Sequence, residues 1–129
     1  MSQGSAFIRR ADDLTYFTDP EKDVDVERQL DELSPNEQVD LTIVEERLWK
    51  YPEQLIDVRG AREPVRAITF NGRLWVLYWV ATQLRGNPWL CVRILVIKVL
   101  DEPSPQVPEC AFELAAERYR RDTQIGPYR

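Results

Sequence analysis

The sequence predicts a single α+β domain, in which an N-terminal helical hairpin packs on a small, mainly antiparallel β-sheet and a C-terminal helix follows. Three observations carry this prediction. An Asn-Gly dipeptide separates two strand-forming runs in residues 65–81, a capping sequence starts at Ser34, and apolar residues recur at helical spacing from Phe112. The chain of 129 residues is long enough for one core. We expect one domain over residues 1–129, with a flexible stretch at 1–13 and a tail at 123–129.

The N-terminal part of the chain predicts one strand and two helices. Residues 15–17 suit a short first strand, and Asp19-Pro20 predicts a helix start with aspartate as the cap. Ser34-Pro35-Asn36-Glu37 is a capping box, so the second helix should begin within two residues of the first helix's end. Inward-facing residues are expected at helical spacing: Val26, Leu30 and Leu33 in the first helix, and Leu41, Val44 and Leu48 in the second. Tyr51-Pro52 should end the second helix.

The centre of the chain predicts a tight antiparallel hairpin. A type I′ turn at Asn71-Gly72 would pair Phe70 with Arg73 across a two-residue loop. One sheet face would then hold Arg66, Ile68, Phe70, Arg73, Trp75 and Leu77. The other face would hold Val65, Ala67, Thr69, Leu74, Val76 and Tyr78. We expect helices to cover the second face and leave the first, with its arginines and aromatic rings, as the functional surface.

The C-terminal part predicts a buried strand, a loop and a helix. Residues 89–100 are nearly all apolar, as in a central strand buried on both faces. Residues 101–108 contain three prolines and should form a loop. The helix beyond should pack through a stripe of Phe112, Ala115, Ala116 and Tyr119.

Composition excludes several classes of protein. No apolar run is long enough to span a membrane, and no secretory signal precedes the domain, so a cytoplasmic protein is expected. The chain has no histidine, and Cys91 and Cys110 do not form a CxxC pair. We therefore predict no metal, no cofactor and two free, mostly buried thiols in a reducing compartment.

Charge is distributed unevenly along the chain. The formal net charge is −5, yet residues 11–40 sum to −9 and residues 59–98 to +6. The structural interpretation is a fold whose solvated faces differ in sign. The functional interpretation is that a basic sheet face carrying Arg66 and Arg73 meets an anion, such as RNA or an acidic partner.

Several short motifs resemble the RelE and HigB branch of type II toxin-antitoxin toxins. They are the helical hairpin, the Arg59-Gly60 dipeptide, the Val65-Arg66 strand entry, the LWVLYW strand and the ending PECAFELAAERYRR. In that branch a helix follows a lysine-rich loop, with alanine seven and arginine ten residues after its proline. Counted from Pro108, those positions are Ala115 and Arg118.

The resemblance implies a ribosome-associated endoribonuclease that cuts mRNA without metal, inhibits translation and is held by a cognate antitoxin. Cleavage by the 2′-hydroxyl needs cations around the developing phosphorane charge, a proton acceptor and a proton donor. The implied catalytic residues are Arg66, Arg73 and Arg118. Residues expected to bind RNA or a partner are Arg59, Arg62 and an exposed Trp75, which could stack on a base.

The chain departs from this family pattern at four positions. Trp75 stands where the family has an arginine before Val-Leu-Tyr. Glu102 and Gln106 stand where it has lysines, and Val107 stands where it has a threonine. Two functions therefore remain open: a toxin-family ribonuclease with weakened activity, and a non-catalytic binding protein of the same fold that has lost the lysines. Each arginine also has a structural alternative, as a snorkelling, turn or helix-terminal cation.

Overall fold

The structure is a computed structural model that describes residues 6–11, 15–18, 21–22, 24–50, 64–84 and 89–125. Its strands are β1 (Ala6–Ala11), β2 (Thr15–Thr18), β3 (Glu21–Lys22), β4 (Arg66–Phe70), β5 (Leu74–Gln83) and β6 (Trp89–Val99). Its helices are α1 (Val24–Gln29), a 3₁₀ turn (Leu30–Glu32), α2 (Pro35–Lys50) and α3 (Glu109–Ile125). The predicted α+β class is confirmed. Three strands precede α1, where the sequence predicted one.

The described strands form one sheet in the order β1-β2-β6-β5-β4, and β3 also pairs with β6. The pairs β4–β5, β5–β6 and β1–β2 are antiparallel, whereas β2 and β3 run parallel to β6. β6 is thus the central strand that its apolar composition predicted. Its side chains from Ile94 to Ile97 are all nearly inaccessible to solvent.

The hairpin exists, but its predicted register is wrong by one residue. Asn71 and Gly72 have φ values of 58° and 71°, and the Arg73 amide bonds to the Phe70 carbonyl, as a type I′ turn requires. Phe70 nevertheless pairs with Leu74, so Arg73 belongs to the loop. The Arg73 carbonyl instead accepts a 2.8 Å bond from the Leu100 amide beyond β6.

This one-residue shift exchanges the side chains of β5 between the two faces of the sheet. Trp75 and Leu77 lie with Val65 and Ala67 against α3, while Ile68 packs on the opposite side. Helices cover both faces: α1 and α2 pack on the face that holds Ile68, and α3 packs on the face that holds Trp75 and Leu77. The expectation of one open face of the sheet carrying arginines and aromatic rings is therefore wrong.

The start of α2 is the capping box that the sequence predicts. The Ser34 amide donates to Glu37 Oε1 at 2.8 Å, and the Glu37 amide donates to Ser34 Oγ at 3.2 Å. The predicted stripe of Leu41, Val44 and Leu48 is buried. The structure describes α2 as far as Lys50, and the predicted stop at residues 51–52 lies outside the described residues.

The termini and the first helix differ from the sequence prediction. Residues 6–11, expected to be flexible, form β1, and α3 continues through Ile125 into the expected tail. The first helix does not start at residues 19–20, because Glu21 and Lys22 extend as β3 beside β6 and α1 begins only at Val24. A local capping signal is overridden there by pairing with the central strand.

Cys91 is a buried free thiol, as expected, whereas Cys110 at the start of α3 is exposed. Among the helices that the structure describes, none combines the length and apolar character needed to cross a membrane.

Candidate functional site

The three arginines implied as catalytic lie at separate places. Arg66 opens β4 opposite Tyr78, and Arg73 lies at the other end of the hairpin, before Leu74. At ~3.3 Å per residue, four strand positions separate these ends by ~13 Å. Arg118 of α3 reaches β6, on the far side of β5. The three arginines therefore start from different parts of the fold: the start of β4, the hairpin tip and α3.

Arg118 is held by structural contacts within the fold. Between Leu77 and Tyr78 the β5–β6 register shifts, which leaves Leu95 as the extra residue of a bulge on β6. Arg118 Nη1 donates to the Leu95 carbonyl at 2.7 Å, and only 14% of the Arg118 side chain is exposed. The arginine thus satisfies a carbonyl that the bulge leaves out of the ladder.

Asp25 joins the acidic N-terminal segment to the arginines of α3. Its Oδ2 lies 3.2 Å from Arg121 Nη1 and 3.7 Å from Arg118 Nε, and its Oδ1 lies 3.4 Å from Arg28 Nη1. The acidic segment, which was expected to form a solvated face, therefore meets cations of α3 directly.

Two further contacts hold the N-terminal helices: one joins Lys22 to α2, and the other joins Gln29 of α1 to β6. Lys22 Nζ in β3 pairs with Glu45 Oε2 of α2 at 2.6 Å, which joins β3 to α2. Gln29 Nε2 donates to the Ile97 carbonyl at 2.7 Å, which ties α1 to the edge of β6 beyond β3.

Trp75 is not available to stack on a base. It is 6% exposed, packs in the cluster beneath α3, and donates its indole Nε1–H to the Gly72 carbonyl at 3.0 Å. Helices cover both faces of the sheet, and the register shift places Trp75 on the face that α3 covers. The position where the resembled family carries an arginine is thus a core position here.

The hairpin tip is held by the proline-rich loop that follows β6. The Ser104 amide donates to the Gly72 carbonyl at 2.9 Å, and Arg73 Nε donates to the Leu100 carbonyl at 3.1 Å. In this loop Glu102 and Gln106 are exposed, whereas Val107 packs against the α3-side cluster. Arg73 remains exposed at the tip.

The remaining implied residues are only partly described. Arg59 and Arg62 lie outside the described residues, as does the Arg59-Gly60 motif. Arg66 is half-buried at the start of β4 and already has an interaction within the protein. None of these observations assigns the three residues a role in binding RNA.

A buried polar cluster that sequence reasoning missed joins β6 to the end of α3. Arg93 Nε and Nη2 each lie 3.0 Å from an oxygen of Asp122, and Trp79 Nε1 donates to the same carboxylate at 3.2 Å. Tyr119 meets Trp79 edge-to-face at 4.8 Å. One signal was available, because a lone arginine inside an apolar central strand requires a buried acidic partner.

A groove lies between the N-terminal half of α2 and the hairpin tip. Its volume is about 240 Å³. We call it the tip groove and define it by Asn36, Glu37 and Asp40 of α2 and by Phe70, Asn71 and Arg73 of the hairpin. Leu74 and Val99 also line it, so polar side chains stand around apolar ones.

Comparisons of the chain with protein families, with curated proteins and with solved structures return no match. Within the described part of the chain, no three or more cysteine, aspartate or glutamate side chains are grouped so that they could hold a metal ion. Function is therefore inferred from the resemblance and from the geometry of the tip groove and the arginines.

Proposed function

We propose that this chain is a cytoplasmic member of the RelE and HigB toxin fold that acts mainly by binding a partner protein, with weak ribonuclease activity at most. In this proposal α1 and α2 correspond to the family's helical hairpin, and the partner takes the place of an antitoxin. Support comes from the order of the later elements, in which α1 and α2 precede β4, β5 and β6 and α3 follows them, and from the motifs around Arg66 and Arg118. The two free cysteines fit a reducing compartment.

The observation that carries the binding role is the position of Trp75 in the core. A ribonuclease of this kind needs several cations around one phosphate, and each can contribute roughly 10²-fold or more to the rate. Here the family's arginine position holds a buried indole, and Arg118 is occupied with the Leu95 carbonyl and Asp25. Of the three implied catalytic arginines, Arg66 and Arg73 are left to stabilise a phosphorane.

The second candidate is the endoribonuclease itself, acting on mRNA at the ribosome. It is favoured by Arg73, which is exposed at the hairpin tip beside Asn71. An exposed guanidinium on a rigid turn can contact a phosphate, and Arg66 would have to supply a second cation. This candidate requires one RNA segment to contact two arginines whose backbone positions lie at opposite ends of β4, which are ~13 Å apart.

Inducible expression in a bacterial host separates the two candidates. For a binding protein we expect normal growth and intact translated mRNA, measured by primer extension on an abundant transcript. For the ribonuclease we expect growth arrest with discrete cleavage, relieved by Arg66→Ala or Arg73→Ala. The matched control is Arg47→Ala, an equivalent charge loss at an exposed position of α2.

A gain-of-function variant sharpens the same experiment. Glu102 and Gln106 are exposed in the loop where the resembled family has lysines, so Glu102→Lys with Gln106→Lys should raise any residual cleavage. Arrest with mRNA cleavage in the unaltered protein would refute the binding proposal. Arrest that neither arginine variant relieves would also place the activity on other residues.

A further inference from the structure

We propose that the tip groove and the adjoining ridge of α2 form the docking site for a basic, amphipathic segment of the partner protein. One arginine or lysine of that segment occupies the groove, and its apolar residues lie on α2. This inference rests on the proposed binding function and adds the surface, the charge and the character of the partner.

The size of the groove fits a single side chain. Small-molecule sites usually measure about 300–1,000 Å³, and the tip groove, at about 240 Å³, is smaller. Its apolar lining of Phe70, Leu74 and Val99 suits the methylene stem of a long side chain. The ring of Phe70 can also attract a cation at its face.

The charge of the groove selects a cation for the end of that side chain. Two carboxylates, of Glu37 and Asp40, line the groove together with the single guanidinium of Arg73. Arg73 Nε already donates a hydrogen bond to the Leu100 carbonyl. Asp40 is half-buried, and its side chain makes no hydrogen bond or ion pair with any residue that the structure describes. A partly desolvated carboxylate without a partner gains from a charged hydrogen bond.

The surroundings of the groove carry the same sign. Asp31 and Glu32, exposed in the 3₁₀ turn, precede the start of α2. Together with Glu37, Asp40 and Arg73 they give a net charge of −3. A field of this sign speeds the approach of a basic segment and disfavours RNA.

The outer ridge of α2 supplies the apolar part of the docking site. Val39 is 59% exposed and Ile43 is 36% exposed, and they are four residues apart on one side of the helix. Ile43 follows Asp40 by three residues, so the ridge and the groove adjoin. The partner segment must therefore combine apolar residues at helical spacing with at least one cation.

Two synthetic amphipathic peptides test this inference. Both have the same leucine face. The polar face of one peptide is rich in arginine, and that of the other is rich in glutamate. We expect only the arginine peptide to bind, measured by fluorescence anisotropy at low and at high salt. Amide chemical shifts should move at Asn36, Asp40, Ile43 and Asn71.

Charge reversal supplies the decisive variants. Asp40→Lys should weaken binding by about tenfold or more, because it places like charges together. Glu113→Lys makes the same change of net charge on α3, across the sheet, and should weaken binding by less than about twofold. Ile43→Ser should weaken binding, whereas Leu114→Ser, at an equally exposed residue of α3, should not. Asp40→Asn repeats the test without a new charge, in case Asp40→Lys fails to fold.

Several results would overturn the inference. Equal binding of both peptides would do so, as would an equal loss of peptide affinity in Asp40→Lys and Glu113→Lys. Amide chemical-shift changes confined to α3 would also contradict it. So would tighter binding of an RNA oligonucleotide than of the arginine peptide. A concentration-dependent dimer that Asp40→Lys dissociates in sedimentation would assign the groove to a second copy of this chain. Failure of peptide binding with harmless expression would refute only the groove, whereas arrest with cleaved mRNA would refute the proposed function.

Discussion

Arg93 and Asp122 form a two-point ion pair that joins the central strand to the end of the last helix. Both nitrogen–oxygen distances are 3.0 Å, and the side chains are only 11% and 7% exposed. Trp79 donates to the same carboxylate, so one aspartate accepts three hydrogen bonds from two residues. The pair therefore specifies where α3 lies on the sheet, since a displaced helix would leave a buried charge without a partner.

Removing the carboxylate should destabilise the protein strongly. Asp122→Ala removes both bonds of the buried ion pair with Arg93 and the acceptor of the Trp79 indole, and we expect a loss of about 3–5 kcal/mol in the free energy of unfolding. The measurement is urea denaturation followed by tryptophan fluorescence. Arg28→Ala is the control, because its pair with Asp25 is exposed and should contribute at most about 1 kcal/mol. A loss below that of the control would contradict the structural role of the pair.

Arg118 is expected to act on stability. Arg118→Ala removes the 2.7 Å bond to the Leu95 carbonyl and the contact with Asp25, and should cost about 1.5–3 kcal/mol. Thermal unfolding monitored by circular dichroism measures this. The control is Arg47→Ala at an exposed position, which should change the stability by no more than about 0.5 kcal/mol. If Arg118→Ala kept full stability yet abolished mRNA cleavage, Arg118 would be a catalytic residue after all.

Introducing at position 75 the arginine of the resembled family should not create an enzyme. Trp75→Arg places a guanidinium in the cluster beneath α3, and burial of an unpaired charge should cost several kcal/mol. Trp75→Phe, which removes the bond to the Gly72 carbonyl but keeps an aromatic ring, should cost about 1–2 kcal/mol. Soluble yield and the midpoint of thermal unfolding distinguish the two. A stable, cleaving Trp75→Arg protein would show that this position can face RNA.

Gly72 is required by both its conformation and its neighbour. Its φ is +71°, and an added Cβ would lie 2.9 Å from the Ser104 carbonyl oxygen. Gly72→Ala should therefore destabilise the protein by about 1–2 kcal/mol or more, whereas Asn71→Gly, at a φ of 58°, should be nearly neutral. Chemical denaturation of both variants tests this, and equal effects would mean that the loop yields easily at Ser104.

Local signals predicted much of the fold. The capping box at Ser34, the type I′ turn at Asn71-Gly72 and the stripe of α2 depend on residues a few positions apart. Burial of β6 followed from composition, because a strand that packs on both faces must be apolar throughout. These elements formed as expected because their determinants lie within a single turn, helix or strand.

The candidate site was predicted less well, because its geometry depends on residues distant in sequence. The Leu100 amide bonds to the Arg73 carbonyl, and Phe70 pairs with Leu74, one residue out of the expected register. This register places Trp75 on the face that α3 covers and leaves Arg73 in the loop at the tip. A side-chain period of two makes any such slip invert the faces of a strand.

The sequence by itself determined α2, α3, the capping box, the turn and the central strand, since each arises from the local chain. Tertiary structure alone decided that helices cover both faces, that Asp25 meets Arg118 and that Asp122 meets Arg93. The physical reason is that a charge or a carbonyl in the interior accepts whichever distant partner the packed elements bring within bonding distance. No local pattern in the chain specifies that partner.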